Sequence, residues 1–524
     1  MPTLEPVTAT PISEFNPALI DALRTDLTAT DYTVQGVRDA VGDVAADALD
    51  REQWVPALAA ARGSSSAAAT LLRLFQLGDE PTRAVVDSAL PTLRAEGLEA
   101  LGLAAAAGGG AGDAVRATCD LSPYSAQDES GDVDWWIASD PSEIARRGAL
   151  PTDYVLGVGG ASRTLAQLTV RDQRGSVLDV GTGCGIQALH ASRHATRVVA
   201  TDIDARALRY AGLNAALAGV ELDLREGSMF EPVAGELFDL VVSNPPFVIT
   251  PRGAGAGAVG EFTYRDGGAA GDDVVSGFVR SVGDVLAPGG VAQLLGNWEH
   301  RRGQDWEERV ASWLPDGLDG WVVQRELLDP AQYAELWLRD GGLTPDRDRA
   351  RYETAYLAWL DDLASRDVEA IGFGFVTVRR PPSGTAGERA WHRVEEITGT
   401  VQQPLGAVVS AVLGAVEDVR VLSADELLGR RWRVAGDVTE ERFHEPGQPQ
   451  PSVMVLRAGG GLGRTIQADT GLAAFVGASD GELTGLQIVG ALAALLEVDA
   501  SALAAELAPQ VRGLAIDGLL LPVA

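Results

Sequence analysis

Lysine is absent from the 524 residues, so all 42 basic side chains are arginine. That absence removes Schiff-base chemistry and the phosphate-gripping lysine of a Walker loop. Cysteine is nearly absent too: Cys119 and Cys184 cannot frame a disulfide-stapled fold, and they suit a reducing compartment. The five histidines (His190, His194, His300, His392 and His444) are scattered. His190 and His194 stand four apart on an expected helix, yet no HExxH pattern surrounds them and no third ligand is in view. No metal is expected. Apolar runs such as Ile488 to Leu496 fall far short of the ~20 residues of a bilayer span. The opening stretch MPTLEPVTATPISEF has neither the basic start nor the apolar run of a secretory leader, so the expectation is a cytoplasmic protein without membrane contact.

Positive charge is scarce: 42 arginines face 74 acids, for a net charge of −32. The excess acid runs through every part of the chain, leaving no basic domain to grip phosphates, and nonspecific DNA binding is not expected. Three arginine clusters (Arg301–Arg302, Arg347–Arg349–Arg351 and Arg430–Arg431–Arg433) read as solvated faces, with a local phosphate patch as the alternative. Hydrophobic content of 46% is that of a globular chain, and the length calls for two to four domains.

Residues 1–150 read as a mainly helical domain, with Leu71, Leu72, Leu74 and Phe75 forming a buried helical stripe. AAAAGGGAGDA (104–114) breaks the pattern. The stretch DLSPYSAQDESGDVDWWIASD after it fits a linker or a short excursion of strands, with Trp135 and Trp136 in packing roles. From 151 to 385 the texture changes. The short apolar segments SVLDVG, TRVVATDI, LFDLVVSN and VAQLLGN alternate with helical patterns, which predicts a parallel sheet covered on both faces. VEAIGFGFVTVRR can supply a last strand, antiparallel in one reading, and PPSGTAGE (381–388) an exit linker. Residues 386–524 read as an α+β domain whose ending is similar to a winged helix. Its recognition helix would carry only Arg512, so packing or protein contact is the better reading than DNA recognition.

VLDVGTGCG (177–185) is a strand entering a glycine-rich turn and then a helix. Gly181, Gly183 and Gly185 let the backbone turn sharply and approach a ligand closely. Such turns are common, and the signal gains weight from Asp202, which ends the next strand and can accept hydrogen bonds from ribose hydroxyls. Asp179 lies inside the first strand, where a carboxylate needs a partner such as a ligand's cationic amino group. The spacing is not the GxGxxG of dinucleotide oxidoreductases. D-x-G-x-G-x-G instead resembles motif I of class I methyltransferases. By that resemblance the turn, Thr182 included, holds the amino-acid part of S-adenosylmethionine, Asp202 holds its ribose, and Ile203 flanks the adenine.

FDLVVSNPPF (238–247) is a buried strand that stops at Asn244-Pro245-Pro246, since two prolines cannot continue a central strand. In open α/β sheets ligands bind at the carboxyl ends of the strands. A planar nitrogen is a poor nucleophile because its lone pair is delocalised. Two acceptors, the Asn244 side-chain oxygen and the Pro245 carbonyl, can hold its N–H groups and aim that lone pair at a sulfonium methyl. The prolines, Pro246 included, make the carbonyl rigid, and Phe247 can stack on the flat acceptor. The bland alternative is a strand terminator.

With turn, ribose acid and tetrapeptide in this order, residues 151–380 resemble the methyltransferase small group, which includes HemK-type glutamine methyltransferases and ribosomal-RNA guanine methyltransferases. The whole chain is similar to a large actinobacterial type with a helical domain, a methyltransferase core and a C-terminal domain. The resemblance implies an α/β, Rossmann-like class I core with a seven-stranded, mostly parallel sheet. A mainly helical domain and an α+β, winged-helix-like domain would flank it. It also implies that Asp153–Ser162, with Gly159 and Gly160, borders cofactor or substrate. YRDGGAAGDD (264–273) would form a lid hinged on PRGAGAGAVG. One departure stands out: the family's acidic adenine contact after a glycine is replaced by Ser228 behind Gly227, so the Ser228 hydroxyl or the Met229 amide would have to serve. The function implied is S-adenosylmethionine-dependent N-methylation of a macromolecule, a protein or a structured RNA. A glutamine-type protein amide is marginally favoured over an exocyclic amine of an RNA base, and a non-catalytic cofactor-binding module is the third reading.

Overall fold

The computed structural model describes residues 15–128, 131–146, 151, 153–252, 265–382 and 390–523. These divide into two compact units. One is drawn from Met1–Ala166, Gln173–Ala386 and His392–Glu395, the other from Gln167–Asp172, Gly387–Trp391 and Glu396–Ala524.

The first unit begins with helices α1 (Pro17–Ala29), α2 (Val34–Val41), α3 (Asp43–Asp50), α4 (Trp54–Gly63), α5 (Ala67–Phe75), α6 (Arg83–Ala89) and α7 (Arg94–Leu101). Asn16 and Thr33 cap α1 and α2 by accepting backbone N–H groups, as short polar side chains do at helix starts. The expected stripe Leu71, Leu72, Leu74 and Phe75 is fully buried and makes α5 the centre of this core. Two antiparallel pairs follow: β1 (Ala104–Ala106) with β2 (Val115–Ala117), and β3 (Asp120–Asp128) with β4 (Gly131–Ser139). The strand excursion is therefore real. Trp136 donates its indole N–H to the Tyr32 carbonyl at 2.6 Å, while Trp135 stacks on Tyr124. Helices α8 (Glu143–Arg146) and α9 (Gly160–Leu168) lead into the sheet.

The central sheet alternates with helices in the doubly wound manner. Its first strands are β5 (Arg174–Val180), β6 (Ala195–Asp202), β7 (Asp223–Glu226), β8 (Phe238–Ser243) and β9 (Leu286–Arg301). Helices α10 (Ile186–Ser192), α11 (Ala205–Ala218) and α12 (Asp273–Ser281) alternate with them, and α13 (Trp306–Ala311) follows β9. β10 (Asp319–Leu328), α14 (Pro330–Asp340), α15 (Arg349–Ala364), β11 (Val368–Arg379) and β12 (His392–Glu396) complete it. The spatial order is β12-β10-β11-β9-β8-β5-β6-β7. β7 to β9 pair in parallel through β6, β5 and β8, whereas β11 runs antiparallel to both β9 and β10. This is the Rossmann-like sheet expected, with the last long strand antiparallel and with eight strands rather than seven. The extra strand is β12, which the sequence placed beyond the exit linker and which takes the free edge of β10. Val177–Val180 of β5 and Leu240–Ser243 of β8 are buried without alternation, the pattern of strands covered on both faces.

The chain leaves β5 for β6 on one side and later returns to β8 on the other. The topological switch point therefore lies between β5 and β8, where doubly wound sheets open a crevice for ligands.

The second unit contains α16 (Gly406–Arg420), α17 (Ala424–Gly429), β13 (Arg431–Val434), β14 (Val438–His444), β15 (Pro451–Ala458), β16 (Thr465–Ala468), α18 (Thr470–Gly477), β17 (Asp480–Thr484), α19 (Gly485–Leu496), α20 (Ala500–Ile516) and β18 (Leu520–Val523). Its strands form two three-stranded sheets, β17-β13-β18 and β14-β15-β16. Trp432, Phe475, Leu507 and Leu520 anchor its separate core. Among the described residues no helix is long and apolar enough to cross a membrane.

Candidate active site

The glycine turn sits at the carboxyl end of β5, beside the switch point. Gly181 and Gly183 adopt φ of +70° and +56°, and a Cβ built on either meets nothing within 4 Å, so both face open space. Gly185 (φ +85°) is glycine for another reason: its Cβ would lie 3.0 Å from the Ala211 Cβ of α11, so it permits close packing of α10 on α11. The N–H groups of Gly181 and Thr182 both donate to the Thr201 carbonyl at 2.9 Å, tying the turn to the end of β6.

Asp202 closes this cradle. Its Oδ2 accepts the Gly183 N–H at 2.9 Å and its Oδ1 the Asp204 N–H at 3.0 Å. Burial raises its carboxyl above the usual carboxylate range, against those stabilising backbone bonds. Asp179 is buried inside β5, and one of its oxygens accepts both the Thr182 hydroxyl (2.6 Å) and the Ala188 N–H (3.0 Å). Burial nevertheless pushes its carboxyl up to about 7, which marks a group short of positive charge. Thr182 thus orients Asp179 rather than pointing at open space.

Ile203 follows Asp202 with 68% of its surface exposed, an apolar side chain unclaimed by the core and free to flank a flat ring. The Gly227 N–H donates to the Asp202 carbonyl at 2.9 Å, which brings the Gly227-Ser228-Met229 turn to the end of β6. A Cβ at Gly227 would come within 2.5 Å of Pro232, and Met229 is held at φ +51° with its side chain packed on the sheet core. Ser228 is half-buried in this turn.

β8 lies directly against β5: Ser243 is in register with Val180, and its hydroxyl donates to the Val180 carbonyl at 2.8 Å. Asn244 is therefore the first residue beyond the sheet, next to Gly181 across the switch point. Its Oδ1 is buried and has no hydrogen-bond partner among the described residues. An acceptor in that condition costs free energy unless something donates to it, so this atom fits an N–H brought by a ligand. Pro245 is buried and Pro246 half-buried. Phe247 packs between the sheet core and the cluster under α14 and α15.

The chain beyond the tetrapeptide is strongly held. Phe247 forms an isolated β-bridge with Asp266, the Val248 N–H donates to the Arg265 carbonyl (2.9 Å), and the Ile249 N–H to the Tyr333 hydroxyl (2.9 Å). The expected lid begins at Tyr264 and its hinge covers 251–260, so most of the hinge lies outside the described residues. Residues 265–273 run beside the tetrapeptide, with Gly267 close to the Pro246 carbonyl. The segment Asp153–Ser162 is fixed at both ends. The Val155 N–H donates to Asp140 (2.8 Å), Arg206 bonds both Asp140 and the Asp153 carbonyl, and Gln187 donates to the Ser162 carbonyl at 2.7 Å. His190 is engaged with the Tyr124 hydroxyl at 2.9 Å and lies edge-on to Trp135, a packing role. Tyr333 and Asn297 are neighbours of the site that sequence reasoning missed, while Arg265 falls in the segment YRDGGAAGDD already singled out as a lid. Tyr333 stands in a stretch with no motif, and Asn297 ends the strand segment VAQLLGN with no local signal that its side chain meets the Tyr333 hydroxyl.

A doubly wound sheet, an open glycine cradle with a ribose-type acid, and a rigid Asn-Pro-Pro at the switch point define a class I nucleotide-cofactor site of the methyltransferase kind. Accordingly, residues 157–259 match the model of the methyltransferase small domain. Residues 29–118 match a domain of unknown function. Among similar proteins, the release factor glutamine methyltransferase of Deinococcus radiodurans is 34% identical over 32% of this chain and 59% of its own length. That of Geobacter sulfurreducens is 38% identical over 22% of this chain and 43% of its own. The chain thus spans about three fifths or less of these relatives. A solved ribosomal protein L11 methylase from Lactobacillus delbrueckii subsp. bulgaricus aligns at a TM-score of 0.21 with 18% identity, over 42% of this chain and 78% of that one.

Proposed function

We propose that this protein is an S-adenosylmethionine-dependent N-methyltransferase whose acceptor is the side-chain amide of a glutamine in another protein. The observation that carries the reading is the buried, unpartnered Asn244 Oδ1 one step past the Ser243–Val180 pairing. The cofactor supplies an electrophilic sulfonium methyl. The chain's own residues do the rest. Asp202 takes the ribose hydroxyls, Asp179 the amino group through the turn of Gly181, Thr182, Gly183 and Gly185, and Ile203 with Ser228 and Met229 the adenine. Asn244 Oδ1 and the Pro245 carbonyl accept the two amide N–H groups and turn the nitrogen lone pair toward the methyl. Pro246 stiffens the carbonyl and Phe247 stacks on the amide plane. The C–N bond forms as the C–S bond breaks, S-adenosylhomocysteine leaves, and the nitrogen releases its proton to solvent.

Charge supports a protein acceptor over RNA. Near the ends of β8 and β9 the arginines are already committed: Arg252 to Asp266, Arg265 to Asp340, Arg309 to Asp272, and both Arg301 and Arg366 to Glu299. Phosphates binding there would have to displace carboxylates from these pairs. The glutamine methyltransferases among the relatives point the same way. The compartment we assign is the cytoplasm.

Labelled cofactor incubated with cell extract, followed by protease or nuclease digestion, tests the reading. Label should vanish with protease and appear as methylglutamine, and Asn244→Ala should lose transfer by about 100-fold or more while still binding cofactor. Label removed by nuclease would replace the protein acceptor with RNA.

A further inference from the structure

Pro245 and Pro246 have no N–H, so the pair on which the acceptor amide rests cannot be tied down by donors of its own. Its position depends on the next residues, whose two backbone anchors lead to one helix. The Ile249 N–H donates to the Tyr333 hydroxyl of α14 at 2.9 Å. The Val248 N–H donates to the Arg265 carbonyl, and the Arg265 guanidinium in turn bonds the Trp337 carbonyl (2.9 Å) and Asp340 (2.8 Å) of the same helix. α14 belongs to a helix pair inserted between β10 and β11, where a short hairpin would have closed the sheet.

Tyr333 is completely buried, and Trp359, Phe373 and Trp337 surround its ring at centroid distances of 5.5, 5.5 and 6.1 Å. A second bond fixes the hydroxyl: Asn297 Nδ2 donates to it at 2.9 Å. Asn297 lies on β9, three residues beyond Leu294, the register partner of Ser243. The strand beside the tetrapeptide and the helix beyond it therefore meet at one phenol oxygen.

We propose that Tyr333 is a positioning residue for methyl transfer: its hydroxyl, held by Asn297, fixes the chain leaving the tetrapeptide and so keeps Asn244 and the Pro245 carbonyl in line with the acceptor nitrogen. This rests on the methyl-transfer reading above. Tyr333 touches neither cofactor nor acceptor; it acts through the backbone of Ile249. Removing the hydroxyl leaves the aromatic packing in place and releases that backbone, at the level of displacement where transfer rates respond steeply.

The test uses full-length Tyr333→Phe and Asn297→Ala beside the unaltered protein and Asn244→Ala. S-adenosylmethionine affinity is measured by calorimetry, transfer of labelled methyl into extract protein by initial rate, and backbone mobility by hydrogen exchange of peptides covering 244–252 and 177–188. For Tyr333→Phe we expect cofactor affinity within about twofold of normal, transfer slower by about 10- to 100-fold, and faster exchange in 244–252 alone. Asn297→Ala keeps the Ile249 bond and should show the same pattern more weakly, and it carries the test alone if Tyr333→Phe does not fold. Transfer within twofold of normal, unchanged exchange in 244–252, or an equal loss of cofactor affinity would each overturn the proposal. If the unaltered protein transfers no methyl while exchange at 244–252 still quickens in Tyr333→Phe, the methyl-transfer reading has failed. Tyr333 is then a structural anchor only, and the positioning role falls with that reading.

Discussion

At Asp179 a single carboxyl couples stability, pH and ligand charge. Its folded pKa of about 7 exceeds the ~3.9 of an exposed aspartate, so between those values the folded protein binds more protons than the unfolded chain. The stability this group contributes is therefore complete below pH ~4 and lost as pH rises through 7. A cationic amino group beside Asp179 reverses the preference, since it favours the ionised form. S-adenosylmethionine binding should therefore expel a proton near pH 6, and affinity should rise by about an order of magnitude between pH 5.5 and 7.5. Calorimetry in buffers of different ionisation enthalpy measures both. Affinity flat across that window, with no proton released, would place the amino group elsewhere. Asp179 and Asn244 were legible in the sequence because a carboxylate in an apolar strand and two prolines at a strand's end are local contradictions. Tyr333 and Asn297 were not: an isolated tyrosine in a polar helix acquires its role only through a partner 84 residues away.

Among the elements, the glycine turn separates folding from binding within three residues. Gly183→Ala places a methyl in open space at φ +56°, a left-handed backbone costing roughly 1–2 kcal/mol. It should lower the melting temperature slightly yet impair cofactor binding severely. Gly185→Ala adds to similar strain a contact of 3.0 Å with Ala211, and overpacking between α10 and α11 costs typically ~1–3 kcal/mol more. Its main effect should be on stability, read by thermal melting beside calorimetric titration. Equal binding losses at equal stability in both variants would refute this division. The strands of this region were readable since short, predominantly apolar segments ending at Gly181, Asp202 and Asn244 have few other uses. The helix pair α14–α15 was not anticipated. Its first helix carries a clear start, with Asp329 and Gln332 forming a capping box around Pro330. Capping locates a helix along the chain without saying that it docks under the tetrapeptide, which is decided by burial of Tyr333, Trp359 and Ile371 in one cluster.

Across the whole molecule, the deficit of positive charge is deepened by how the arginines are spent. Arg302, Arg347, Arg349 and Arg430, from the clusters conspicuous in the sequence, each face a carboxylate: Glu369, Glu143, Glu353 and Asp418. The second unit ends with the two helices and short terminal strand expected, α19, α20 and β18, with β18 in the order β17-β13-β18; in a winged-helix reading α20 would be the reading helix. Its arginine is not available for reading. The Arg512 guanidinium donates to the Val419 and Leu422 carbonyls, at and just beyond the C-terminal end of α16. Arg512→Ala should therefore destabilise this unit by roughly 1.5–3 kcal/mol, the scale of hydrogen bonds from a charged donor. DNA retention at low salt should be negligible before and after the change, because a chain of net charge −32 with many of its arginines paired to carboxylates has few counterions to release from a duplex. Denaturant unfolding and electrophoretic mobility measure the two effects separately. DNA binding that is present in the unaltered protein and lost in Arg512→Ala, with unfolding unchanged, would restore the helix to a recognition role.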